Sequence, residues 1–175
     1  MYWHPFIVHF PIVLLALGGL LALLDLLVGG SPGRGASWRC GLAAARDLAT
    51  FSGGLAALAS VVTGDSDASA LRVGGPAVRA LEAHEQAGSI VVWVALGALA
   101  AVAWERAERR RPGGSRPRLA RWAARVLQTA ALVVVLRAGW LGGRLVHEHG
   151  VIAGPGPHRT IVERPPAGFP LESPR

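Results

Sequence analysis

Residues 6–28 read FIVHFPIVLLALGGLLALLDLLV. Only His9 and Asp25 interrupt the apolar run. As a helix rising about 1.5 Å per residue it reaches about 34 Å, enough to cross a bilayer. Three further runs follow, at about 43–63, 87–104 and 122–146. The second is the weakest, because it opens on Arg46 and Asp47 and contains Thr50, Ser52 and Ser60. Segments rich in Gly and Pro separate the runs, at 29–37, 64–76 and 109–118, and such residues end helices. The expected fold is all-α: a four-transmembrane-helix bundle over residues 1–150, then a Pro-rich tail over 151–175. The tail has no apolar period and reads as a disordered external extension.

Composition agrees with this class. The chain is 51% hydrophobic and only 17% charged, where soluble domains carry about 25% charge. All 18 basic residues are arginine, and the net charge is +7. That balance does not point to nucleic acid. Eight arginines crowd between Arg106 and Arg125, beside an apolar run, and no nucleotide-binding or DNA-reading pattern is present. The cluster reads as a topology signal or a contact with membrane lipids. The single cysteine, Cys40, cannot form an internal disulfide, and the lack of any CxxCH excludes covalent c-type haem attachment.

Orientation follows from the arginines. The segment between runs one and two holds Arg34, Arg39 and Arg46, and that between three and four holds the cluster. The segment between two and three sets Arg72 and Arg79 against Asp65, Asp67, Glu82 and Glu85. The positive-inside rule therefore puts the first and third connections in the cytoplasm and both termini outside. No basic residue precedes the first run, so a secretory signal is not expected. Trp104 and Trp122 then mark the inner interface and Trp3 the outer one.

This topology gathers the histidines. His4 and His9, His84, and His147 and His149 come to one depth at the external rim, with Asp65, Asp67, Glu82, Glu85 and Glu148 beside them. Imidazole is the usual ligand for transition metals and for b-type haem iron. One reading is a site for haem b or a transition metal, lined by His9, His84 and His149. His4, His147 and Asp65 assist as metal ligands, and Arg137 lies below as a counter-charge. The other reading is structural, since histidines suit interfaces and helix ends need polar caps. Pro11 cannot donate to the Ile7 carbonyl, so a kink between Ile7 and Pro11 would re-aim His9. Gly88, four residues after His84, could make room for a planar cofactor or for a packed helix. Gly150 predicts that the last helix ends near His149.

Arg137 lies near the middle of the fourth run, with Arg144 on its face. It snorkels, bonds backbone carbonyls or balances an anion. Asp25 is expected to pair with Arg46 or another arginine. Gly139 and Gly143 form a small-xxx-small pattern, matched by Gly18, Gly19, Gly53 and Gly54. It serves either a compact bundle or a dimer seam.

The same residues carry a family likeness. HPFIVHFPIVLL at the start, TGD ending run two, His84 opening run three and GWLGGRLVHEHGV closing run four resemble the predicted membrane proteins of the domain-of-unknown-function 2231 family. The resemblance covers about residues 4–152. His4, Pro5, Val8, His9, Phe10 and Pro11 match the family's opening. At its close the family usually has tyrosine where this chain has His147, and His149–Gly150 match the rest. The resemblance implies a bacterial inner-membrane protein of four helices and brings no reaction with it. The expected role is electron transfer through a haem b or metal site, as an accessory to a membrane redox partner rather than as an enzyme. The alternative is a non-catalytic scaffold. A solute or proton pathway linking Arg137 to Asp25 ranks last, because few polar side chains lie between them.

Overall fold

The computed structural model describes residues 4–28, 36–68, 75–111 and 116–151, and nearly all of these are helical, with no strand among them. The elements are α1 (His4–Ile7), α2 (His9–Val28), α3 (Ala36–Ala68), α4 (Pro76–Arg110) and α5 (Pro117–His147). α1 and α2 together form the first span. α2 packs on α3 and α5, and α4 packs on α5 and α3, which closes a four-helix ring. The expectation for 152–175, including His158, lies outside the described residues, as do Trp3 and Arg72.

The helices are longer than the apolar runs that announce them. α3 begins seven residues before Ala43 and runs on through Thr63. α4 includes 76–86 and 105–110. Hydropathy registers only the apolar middle, whereas Ala, Arg and Glu extend a helix past the hydrocarbon without difficulty. Gly75, with φ 61°, turns the chain into Pro76, whose missing N–H costs nothing in a first turn. Gly150, with φ 64°, lies just beyond the end of α5, as its position predicts.

Small residues fill the interior. Ala22, Ala57, Ala95, Ala98, Ala124 and Ala131 are buried, with Leu15, Val91 and Val135 between them. The large apolar side chains point outward: Val13, Leu27, Val62, Trp93 and Val133 are each at least 62% exposed. Water would not tolerate this arrangement over the whole circumference. Lipid does, because lipid tails are as apolar as leucine and the helices associate through close packing of small residues. All four spans are long and apolar enough to cross. This is a membrane protein.

Glycines set the approach of α2. A Cβ on Gly53 would lie 2.9 Å from the Leu15 backbone nitrogen, and one on Gly18 2.8 Å from Thr50 Oγ1. The closing motif behaves otherwise. Gly139 meets only Ile12 Cδ1 at 3.5 Å and Gly143 meets nothing within 4 Å, so the tight contact there belongs to Gly142.

Candidate functional site at the histidine end

Two polar layers bound the apolar slab. At 1.5 Å per residue, Asp25 lies about 30 Å along the first span from His4. The layer at the far end is ionic and joins all four spans. Asp25 Oδ2 accepts from Arg46 Nη1 at 3.0 Å and from Arg125 Nε at 2.6 Å. Arg125 Nη1 also donates to Glu105 Oε2 at 2.6 Å. Arg46 Nη2 donates to Asp47 Oδ1 at 2.7 Å, and Arg106 donates to the other oxygen of Asp47 at 2.8 Å. Arg46 and Arg125 are each 2% exposed, so their charges are balanced within the bundle. One turn deeper, Gln128 Nε2 donates to Thr50 Oγ1 at 3.0 Å, and Thr50 donates to the Arg46 carbonyl at 2.9 Å. The expected Asp25–Arg46 pair is present. The partnership of Arg125 and Glu105 was not foreseen.

The histidine layer is built differently. His4, on α1, sets its Nδ1 3.3 Å from Thr63 Oγ1 on α3. Thr63 spends its own hydrogen on the Ala59 carbonyl at 2.9 Å, so it accepts from His4. His84, on α4, donates Nδ1–H to the Ala138 carbonyl on α5 at 3.2 Å. Each ring rests on a glycine. A Cβ at Gly64 would lie 2.9 Å from His4 Cε1, and one at Gly142 would lie 3.0 Å from His84 Cε1. The TGD and GWLGG motifs thus supply seats for the two imidazoles. When the rings are neutral, this network assigns the hydrogen to Nδ1 and leaves each Nε2 with a lone pair.

The other expected site residues are placed apart from this pair. The chain breaks between α1 and α2 at Val8, within the kink expected from Pro11. His9 is exposed and turns Nδ1 back across the break to the Pro5 carbonyl of α1 at 2.6 Å. Asp65 and His147 are exposed, and His149 is half-buried just past the end of α5. The side chain of Asp67 lies outside the described residues. Arg137 is exposed on the outer surface of α5. The buried positions of that helix include Ala131, Val135, Ala138 and Leu145, and Arg137 falls a full 100° from Ala138. It therefore does not lie beneath the histidines, and burial gives it no counter-charge role inside the bundle. Arg144 pairs with Glu148 at 2.6 Å and lies 4.8 Å from the centroid of the Trp140 ring. That guanidinium holds the Glu148 carboxyl, beyond the last span, below the ordinary carboxylate range. Gly88 faces nothing nearer than Val61 Cγ2 at 4.0 Å. Among the described residues, no group of three or more His, Cys, Asp or Glu side chains could hold a metal ion.

The glycine seats give a direct test. Gly142→Ala is expected to displace the His84 ring and cost about 1–2 kcal/mol, within the range for overpacking. Gly143→Ala, one residue on in open space, should be neutral or slightly stabilising. Unfolding of the two variants in the same detergent measures the difference.

A family model described as "Predicted membrane protein (DUF2231)" matches residues 3–155. No curated protein and no solved structure matches the chain.

Proposed function

The chain belongs to the DUF2231 family of predicted membrane proteins, and from that premise we propose that it binds haem b at its histidine end and passes electrons there. The ligands are Nε2 of His4 and Nε2 of His84. The observation that carries this reading is their matched anchoring: each imidazole is fixed through Nδ1–H to a neighbouring helix, and each rests on a glycine. Iron-ligating histidines use this arrangement, with one nitrogen held by the protein and the other free for the metal. Two imidazoles suffice for a six-coordinate haem, whereas a bare transition-metal ion needs more ligands than these residues supply. Haem held by these residues would supply one-electron ferric–ferrous chemistry, which suits an accessory to a membrane redox protein rather than an enzyme. His9 and His149 are not among the ligands.

The family resemblance implies a bacterial inner membrane, and the arginine distribution supports an orientation with the histidine end outside and the ionic layer at the cytoplasmic face. Reduced-minus-oxidised spectra of protein purified from its native membrane test the proposal. A b-type band is expected, lost in His4→Ala and in His84→Ala and kept in His147→Ala. A colourless protein, prepared with haem in supply, overturns it. The cross-helix bonds from His4 to Thr63 and from His84 to Ala138 favour a second reading, a scaffold stapled by its histidines. On that reading His84→Ala costs about 1 kcal/mol, the worth of an ordinary hydrogen bond, and removes no ligand.

A further inference from the structure

The arginines at the end opposite the histidines divide into two sets. Arg46 and Arg125 are buried and saturated by carboxylates, and Arg106 and Arg109 pair with Asp47 and Glu105. Arg110, Arg111, Arg118 and Arg121 are exposed and make no ion pair among the described residues. The nearby acids are already engaged. Glu105 serves Arg125 and Arg109, and Glu108 is buried and accepts the backbone N–H of Arg116 at 3.2 Å. The free cations therefore stand as uncompensated positive charge at the end of α4 and the start of α5.

They also stand in a particular place. Trp122 and Leu119 are 57% and 51% exposed on the same turns of α5 as Arg118 and Arg121, and Trp104 is 37% exposed on α4. Exposed tryptophans mark the boundary between headgroups and hydrocarbon. Arg118 lies about 6 Å beyond Trp122 along the helix, the step from that boundary toward the phosphates. We propose that the end of α4 and the start of α5 form a binding surface for anionic phospholipids: Arg110, Arg111, Arg118 and Arg121 hold the headgroup phosphates, and Trp122 and Leu119 hold the upper acyl chain. A soluble polyanion would gain nothing from the apolar side chains beside these cations. A lipid meets both at once. A guanidinium at such a surface is worth about a fivefold preference for an anionic lipid.

Full-length protein reconstituted with brominated phosphatidylglycerol or brominated phosphatidylcholine tests this through quenching of tryptophan fluorescence, with Trp122→Phe identifying the local signal. The expected result is a phosphatidylglycerol preference of about fivefold or more, lowered by salt. It should fall close to one in the variant R110Q/R111Q/R118Q/R121Q. All four positions are exposed, so the variant keeps its fold, which the unchanged ionic layer and helical circular dichroism verify. Equal quenching by the two lipids in the unaltered protein, or a preference that survives in the variant, overturns the proposal.

Discussion

Arg125→Leu is expected to destabilise the bundle by about 3–5 kcal/mol, the cost of leaving buried charge without its partner. Arg125 is the one side chain that joins Asp25 on the first span to Glu105 on the third, from its own place on the fourth. Its planar fork fits this task. Nε takes Asp25 at 2.6 Å while Nη1 and Nη2 take the two oxygens of Glu105 at 2.6 and 3.2 Å. Lysine would bring one ammonium to one of these carboxylates, so Arg125→Lys should fall between leucine and arginine. Without Arg125, Asp25 keeps only Arg46, and Glu105 keeps only the exposed Arg109. Leucine is well suited to a membrane helix, so failure to insert is not the expected cause of the loss. The triple variant Asp25→Asn, Glu105→Gln, Arg125→Gln removes the charges together and should recover much of the stability, because the penalty comes from unpaired charge rather than from missing attraction. Equilibrium unfolding in mixed micelles measures all three proteins. An Arg125→Leu variant as stable as the parent would sink this account, as would a triple variant no better than the single one.

The reasons for what the sequence disclosed are visible in these same residues. Depth is legible, because a residue's position along an apolar run measures its distance from the membrane faces. The four spans, the shared level of His4 and His84 and the pairing of Asp25 with Arg46 all follow from depth. Direction around the helix is harder to read. Arg125 and Arg121 count alike in a charge tally, yet one is buried and the other exposed. Spacing does not separate them, because Arg121 lies three, four and seven residues before the buried Ala124, Arg125 and Gln128, so the carboxylates of Asp25 and Glu105 decide which arginine is buried. Arg137 misses that stripe by a single residue, beside Ala138. Depth makes His9 a candidate ligand, but the break at Val8 ahead of Pro11 turns it onto the Pro5 carbonyl of α1. His84 carries the clearer hint, since its glycine seat, Gly142, lies in the GWLGG stretch and its carbonyl partner, Ala138, immediately precedes it. Nothing in the spacing of that motif tells Gly142 from Gly139 and Gly143. That choice depends on how α4 rotates against α5, which packing decides.

Gly19→Leu should be the second severe change, at about 3 kcal/mol, the upper end of ordinary overpacking. α2 and α5 meet here almost backbone to backbone. Even a bare Cβ on Gly19 would lie 2.5 Å from Leu132 Cβ and 2.8 Å from the Gln128 carbonyl oxygen. Neither neighbour can yield by rotating a side chain, because a Cβ and a carbonyl move only with their helix. Separating the helices would also strain the Gln128–Thr50 bond on the same turn, which joins α5 to α3. Helix propensity works the other way, since leucine is better than glycine by somewhat under 1 kcal/mol in a helix interior. The overlap is the larger effect, so the net sign is a loss. Gly143→Leu supplies the control. It makes the same substitution in a helix of the same bundle, where a Cβ meets nothing within 4 Å, so no overlap at the Cβ opposes the propensity gain. The two variants should therefore move in opposite directions, Gly19→Leu strongly downward and Gly143→Leu level or slightly upward. Thermal unfolding of both in one detergent would decide it. Equal tolerance at the two glycines would mean that α2 and α5 do not touch here, and the small-residue seam that positions the ionic layer would have to be abandoned.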